Sequence, residues 1–162
     1  MQSTGSDNNA KSGQTAQTAP IQALTPGANS RERLRFTDFR FDRTPSGRSS
    51  ATVQFEWIEG DPIMGKASGQ TSELGDLRIA SEAALRAIET FAQGAFKLDL
   101  LGVKLIRAFD SNVIIVAVSV IKDDGPVRLL GCTLAERDPL HGSVIAVLHA
   151  TNRLLGNLIA TR

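Results

Sequence analysis

Two stretches of the chain combine glycine, aspartate and serine in a way that suits anion binding. Both contain these residue types in the same order: Gly69, Asp76 and Ser81 in the first stretch, Gly131, Asp138 and Ser143 in the second. In each, a strand that ends near the glycine would lead into a helix that begins near the aspartate. Free amides at a helix N-terminus carry partial positive charge, which favours a carboxylate or phosphate. The serine, one turn into the helix, could add a hydroxyl.

The same residues also have a purely structural interpretation. Asp76 and Asp138 would each be an N-cap, a residue whose side chain accepts hydrogen bonds from the first helical amides. Asp138 is followed by Pro139, and proline at the first helical position is a specific start signal. If the caps already satisfy these amides, the serines only allow close packing. The sequence leaves both interpretations open.

Few other residues point to chemistry. His141 and His149 are eight positions apart on one predicted helix, about 12 Å by helical rise, which is too far to bind one metal directly. No HExxH motif accompanies them, so we interpret them as surface or interface histidines. Cys132, the single cysteine, is predicted to be a buried small hydrophobe rather than a nucleophile. We therefore predict no enzymatic activity and no cofactor.

One basic cluster lies between residues 31 and 48. It consists of Arg31, Arg33, Arg35, Arg40, Arg43 and Arg48. The order helix, three strands, helix from residue 76 onward is also that of a double-stranded-RNA-binding domain, so RNA is an alternative partner. Such domains start their last helix with lysines, whereas this helix starts with Asp138-Pro139-Leu140-His141. We therefore expect a solvated strand and no nucleic-acid partner.

An internal repeat predicts the strands and helices in which these residues lie. A shift of 62 aligns residues 51–90 with 113–152, with 6 of 40 positions identical, and the same order of predicted elements precedes each copy. Period-two alternation predicts strands near 34–41, with a bulge between Phe36 and Phe39, and at 51–59. Further strands are predicted at 63–68, 101–109, 113–121, which is rich in β-branched residues, and 127–135. Helical periodicity follows from Asp76 and from Asp138. We predict an α+β fold of two βββα repeats, residues 31–95 and 100–162, with an antiparallel sheet and two amphipathic helices.

The apolar pattern also predicts which surfaces are buried. Val113–Ile121, apolar on both faces, should be the most buried strand, and the opening arginine-rich strand should be more exposed. Two helices cover one face of a six-stranded sheet, which would leave Val53, Phe55 or Trp57 and part of Val113–Ile121 on the other face. An exposed apolar patch of this kind indicates a partner, and a symmetric dimer is the commonest solution. We expect a homodimer.

The second helix start resembles a known family. Asp138, Gly142, Ser143, Ala146, Ala150 and Asn152 fit the pattern Asp-x3-small-Ser-x2-Ala-x3-Ala-x-Asn, and Asp76, Ala80, Ser81 and Ala84 fit its first part. This pattern resembles the C-terminal regulatory domain of 2-isopropylmalate and citramalate synthases. The resemblance covers residues 31–162 and implies two βββα units, dimerisation, and a feedback amino acid bound near the glycine-to-helix junctions. Because residues 1–30 leave no room for the family's catalytic barrel, we expect a free-standing domain.

Composition limits the remaining possibilities. Residues 1–30 are polar and carry only Asp7 and Lys11 as charges, which predicts a disordered tail. The net charge of +1 gives no general attraction to nucleic acid or acidic membranes. The longest apolar run is Val113–Ile121, whereas a membrane-spanning helix needs about 20 residues, and the first thirty residues contain no signal-peptide core. We expect a cytoplasmic protein with no membrane partner.

Three functions fit these observations. The first is a non-catalytic, self-associating regulatory domain that binds a small carboxylate, such as a branched-chain amino acid, or a partner enzyme. The second is a protein-interaction or scaffold module without a ligand. The third is an RNA-binding domain that uses the arginine-rich strand.

Overall fold

The chain folds into two successive units of three strands and one helix. The computed structural model describes residues 33–58, 60–122, 124–135 and 138–161, which belong to one compact unit, residues 31–162. The predicted disordered tail, residues 1–30, lies outside the described residues. The elements are β1 (Arg35–Arg43), β2 (Arg48–Glu56), β3 (Ile63–Gln70), α1 (Glu73–Ala92), β4 (Lys97–Ala108), β5 (Ser111–Lys122), β6 (Gly125–Leu134) and α2 (Pro139–Ala160).

The strands form two antiparallel sheets, one in each repeat. Their orders are β1-β2-β3 and β4-β5-β6, so the predicted α+β fold of two βββα repeats is confirmed. The single six-stranded sheet is wrong, because the described strands pair only within their own repeat. The pairing of β1 with β2 slips between Phe36 and Asp38, which confirms the predicted bulge. A similar slip occurs in β4 between Leu100 and Gly102.

The core lies between the sheets and the helices. α1 and α2 pack against each other, α1 packs on β2 and β3, and α2 packs on β5 and β6. We call the helix-covered face of each sheet its inner face and the opposite face its outer face. β5 has the largest number of buried residues among the described strands, five against four in the shorter β2, and Ile114, Val116, Val118 and Val120 are almost completely buried on its inner face. β1 contains no fully buried residue, which confirms its predicted exposure.

The expectation of an exposed patch on the first sheet is wrong. Val53 and Phe55 lie on the inner face and are fully buried. Trp57 follows β2 and is half-buried, with its ring edge-on to Phe91 of α1 at 5.4 Å between centroids. α1 can cover this face closely because its buried side is rich in alanine. These three residues therefore do not form an exposed apolar patch on the first sheet.

In each repeat a glycine of the last strand allows that strand to approach its helix closely. A Cβ on Gly65 would collide with the backbone of α1 at Ala83, and a Cβ on Gly131 would collide with that of α2 at Ala146. The sequence alignment had matched Gly131 with Gly69 instead. A Cβ on Gly69 would only come within 3.2 Å of the end of the Ile79 side chain.

The glycine contacts show how the two repeats correspond. Gly65 pairs across the sheet with Val53, and Gly131 pairs with Val116, which is 63 positions after Val53. Gly131 itself is 66 positions after Gly65. The repeat is therefore real, but its middle strand is shifted by 63 residues and its last strand by 66, rather than by 62 throughout.

Candidate functional site

The first predicted junction is closed by the chain's own side chains. α1 begins at Glu73, and its N-cap is Ser72, whose hydroxyl accepts a hydrogen bond from the amide of Gly75 at 2.9 Å. The prediction that Asp76 caps this helix is wrong, because Asp76 is already its fourth residue. Ser72 takes the role because its extended backbone, φ −162°, directs the hydroxyl at the first turn.

Asp76 is instead the centre of a buried polar cluster. Its side chain is 4% exposed. One carboxylate oxygen accepts from the Ser49 hydroxyl and the other from Nε of Arg43, each at 2.8 Å. The hydroxyls of Ser49 and Thr71 are also 2.8 Å apart. Burial raises the pKa of Asp76, but the hydrogen bonds from Ser49 and Arg43 outweigh burial, so its pKa lies below the usual value. The cluster holds β1, β2 and α1 together.

The second junction follows the prediction more closely. Asp138 is the N-cap of α2, its carboxylate accepts from the amide of Leu140 at 2.9 Å, and Pro139 opens the helix. A shallow depression of about 370 Å³ lies beside it. Its lining is Thr133, Leu134, Ala135, Asp138, His141, Gly142 and Ile145. A carboxylate placed here would meet the carboxylate of Asp138, which is unfavourable.

The two predicted serines point into the helices and away from any opening. Ser81 and Ser143 are fully buried. Their hydroxyls donate to backbone carbonyls one turn earlier, Ser81 to Leu77 at 2.9 Å and Ser143 to Leu140 at 2.7 Å. The space beside Gly131 is filled by the backbone of α2 at Ala146. The six predicted residues therefore do not converge on one site, and carboxylate binding at the junctions stays a prediction.

The cysteine and the histidines lie at the surface of the second repeat. Cys132 is exposed, so its predicted burial is wrong: its position in β6 directs the side chain to the outer face. His149 lies with Nδ1 2.8 Å from the carbonyl oxygen of Cys132, and it covers part of the free edge of β6. His141 packs on the ring of Phe36 with centroids 4.9 Å apart. Both histidines are exposed, as predicted.

Three of the six arginines in the basic cluster have acidic partners, and Arg31 of that cluster lies outside the described residues. Arg35 pairs with Glu56 at 2.9 Å, and Arg40 pairs with Asp38 at 3.0 Å. Arg43 is held by the buried carboxylate described above. A surface that binds RNA presents free cations to phosphates, and these three arginines already have anionic partners.

The most distinctive surface is the outer face of the second sheet, which we call the second outer face. Cross-strand pairs show which side chains share it. Its apolar members are Leu101, Ile106, Val113, Ile115, Ala117, Ile121, Leu130, Cys132 and Leu134. Leu130 is 72% exposed and Leu134 54% exposed. Four charged side chains share the face with them: Lys97, Asp99, Lys104 and Arg128.

The outer face of the first sheet, the first outer face, has the opposite character. Its members are Arg35, Asp38, Arg40, Asp42, Arg48, Ser50, Thr52, Gln54, Glu56, Met64, Lys66, Ser68 and Gln70. Met64 is the only apolar side chain among them. The two-sided apolarity of residues 113–121 had indicated part of this contrast. The prediction missed Leu130 and Leu134, because a strand at a sheet edge need not alternate between apolar and polar residues.

Comparison with known proteins adds no further constraint. No protein-family model matches the chain, and a search of curated proteins finds no match either. The resemblance to the synthase regulatory domain stays a prediction. Within the described residues, no group of three or more His, Cys, Asp or Glu side chains could hold a metal. No helix in that part of the chain is long and apolar enough to cross a bilayer.

Proposed function

We propose that this protein is a non-catalytic interaction domain that self-associates as a homodimer through the second outer face. The observation that supports this is the contrast between the two outer faces. Both sheets have the same construction and both turn one face to the helices, yet only one of the free faces is apolar. Contiguous exposed apolar patches are uncommon on monomers and mark association surfaces.

The size of the face is suitable for association. Three strands of about ten residues cover about 14 Å by about 34 Å, on the order of 500 Å² before the relief of the side chains is counted. The apolar part of this face is thus comparable with the largest apolar patch of a typical monomer, about 300–600 Å², and such patches are often functional. A second copy of the chain is the occupant that presents a matching apolar surface without further assumption, and two-fold dimers are the commonest assemblies.

The geometry does not favour the carboxylate ligand or RNA as the main function. At the second junction Asp138 already occupies the helix N-terminus with a negative charge. On the first sheet, Arg35 and Arg40 are paired with acidic neighbours. Association thus has more support than either ligand, and a regulatory role would be exerted through it.

The proposal is tested by sedimentation of the full chain over a range of concentrations. We expect the mass to rise from that of the 17.3 kDa monomer to twice that value at tens of micromolar. Leu130→Lys should remain a monomer, because it would bury an unpaired charge. Met64→Lys is the matched control, since Met64 precedes Gly65 as Leu130 precedes Gly131, and it should still dimerise. A monomeric wild-type protein at these concentrations would refute the proposal.

A further inference from the structure

We infer that the second copy packs with its two-fold axis along β5, so that β6 of each copy lies over β4 of the other. This inference rests on the proposed function and adds to it the arrangement of the two copies. It follows from an asymmetry across the second outer face: the β6 side carries a protrusion and a positive charge. The β4 side carries a hollow and, in the next row, the carboxylate of Asp99, which lies between the outward-facing Lys97 and Lys104.

The protrusion and the hollow lie in one row of the sheet. Leu130 on β6 pairs with Ala117 on β5, and Ala117 pairs with Gly102 on β4. Leu130 is the most exposed apolar side chain of this face. A Cβ placed on Gly102 would have no atom within 4 Å, so the space above it is open. The row therefore descends from a large side chain, through a small one, to none.

The charges lie in the next row. Arg128 on β6 pairs with Ser119 on β5, and Ser119 pairs with Asp99 on β4. Two strand spacings, about 10 Å, separate Asp99 from Arg128 within the chain. In the described part of the chain, neither residue forms a salt bridge. The pKa of the Arg86 guanidinium on α1 is raised mainly by Glu89, to which it is bound at 2.7 Å, and only to a small extent by Asp99.

A two-fold axis along β5 brings each feature to its complement. The rotation exchanges the β4 and β6 sides, which places Leu130 of each copy over Gly102 of the other. The same rotation places Arg128 opposite Asp99 of the second copy, twice in the dimer. Opposite charges brought together at a partly desolvated interface set the register of the partners.

An alternative two-fold axis, across the strands through Ala117, fits less well. It would place Leu130 of one copy directly against Leu130 of the other, so that the two protrusions would meet while both hollows stayed empty. In that arrangement Asp99 would face Lys104 of the second copy rather than Arg128. The two arrangements therefore predict different charge partners for Asp99.

Charge reversal in the full chain distinguishes them. Asp99→Arg and Arg128→Asp should each weaken dimerisation by about tenfold or more in Kd, because like charges would then face each other. The double variant, with the charges exchanged, should return to within about threefold of the wild-type Kd. Asp99→Arg combined with Lys104→Glu should stay weak. Circular dichroism confirms that each variant folds, and if Asp99→Arg does not fold, Asp99→Asn with Arg128→Asp tests the same pair.

The outcomes separate this inference from the proposed function. If the wild-type protein does not dimerise, the proposed function fails and the inference fails with it. If Leu130→Lys abolishes the dimer but the Asp99 and Arg128 variants leave Kd unchanged, the function stands and the arrangement is wrong. Rescue by Lys104→Glu rather than by Arg128→Asp would also overturn the inference.

Discussion

The two sheets of this protein are built alike but differ on the side that the helices leave free. Position 52 on the first outer face is Thr, and its counterpart 63 residues later on the second outer face is Ile115. In the same way Ser50 corresponds to Val113. The inner faces show no such contrast, since Val53 and Val116 are both fully buried.

This difference separates two requirements that act on the same fold. Inner positions must fill the space beneath a helix, so both repeats need apolar side chains and a glycine at the closest approach. Outer positions meet solvent unless a partner covers them, so apolar residues there do not serve the fold of a single chain. We interpret the second outer face as a surface shaped by association, and the first as an ordinary solvated surface.

The largest effect is expected where the repeats are alike. Gly131→Val and Gly65→Val should each destabilise the fold by about 3 kcal/mol or more, because the new side chain collides with the helix backbone and not with a flexible neighbour. Urea denaturation measures the loss. Gly156→Ala, in an open position on α2, is the control and should stabilise by about 0.5–1 kcal/mol. Tolerance of valine at both glycines would show that the strands do not approach the helices as described.

A smaller effect is expected where the inner parts of the repeats differ. Asp76 has no carboxylate counterpart in the second repeat, where residue 139 is Pro. Asp76→Ala should cost about 2 kcal/mol at neutral pH, because it removes two hydrogen bonds to a buried charged group, those from Ser49 and Arg43. Arg35→Ala, which breaks an exposed ion pair, should change stability by less than about 1 kcal/mol.

The Asp76 cluster also predicts the direction of the pH dependence. Because the pKa of Asp76 is lower in the folded protein than the usual value of about 3.9, its contribution is fully present above that value. The contribution is lost as the pH falls through the folded pKa. Wild-type stability should thus fall more steeply than that of Asp76→Ala as the pH is lowered below about 4. Parallel curves for the two proteins would contradict the cluster.

The smallest effect concerns the fold of the separate chain. Leu130→Lys should leave the free energy of unfolding unchanged within about 0.5 kcal/mol when it is measured at concentrations where the wild type is also monomeric. The Leu130 side chain is already mostly exposed, so the folded monomer loses little packing. A loss of several kcal/mol would mean that Leu130 belongs to the core and not to an interface.

The repeat architecture was predictable because it depends on periodicity. Alternation of apolar residues identified the first two strands, the β-branched apolar run identified β5, and the Asp138-Pro139 signal identified the start of α2. The start of α1 was not predicted correctly: Ser72 and Asp76 are both suitable caps by residue type, and only the backbone at Ser72 decides between them. Asp76 was then free to bind Arg43 from a distant strand, a contact that no local pattern contains.

The candidate site was predicted less well, for a geometric reason. A single shift of 62 aligned Ser81 with Ser143 and Gly69 with Gly131, and so suggested two equivalent sites. In the structure the middle strands correspond at a shift of 63 residues and the last strands at 66, so Gly131 corresponds to Gly65 and not to Gly69. The exposure of the second outer face depends on which side the helices cover, and the sequence pattern of a strand that is apolar on both faces does not decide that.

The single cysteine provides the most direct test of the central claim that the second outer face is buried in a dimer. Cys132 lies on this face, and the alkylation rate of its thiol can be followed in the native full chain. The matched reporter is Lys66→Cys combined with Cys132→Ser, because position 66 follows Gly65 on the first outer face as Cys132 follows Gly131. Both thiols should react freely in dilute protein. As the concentration rises past the dimer Kd, alkylation of Cys132 should slow by about tenfold with the falling monomer fraction, while the thiol at position 66 should react at a constant rate. A constant rate at Cys132, or equal slowing at both positions, would contradict the account.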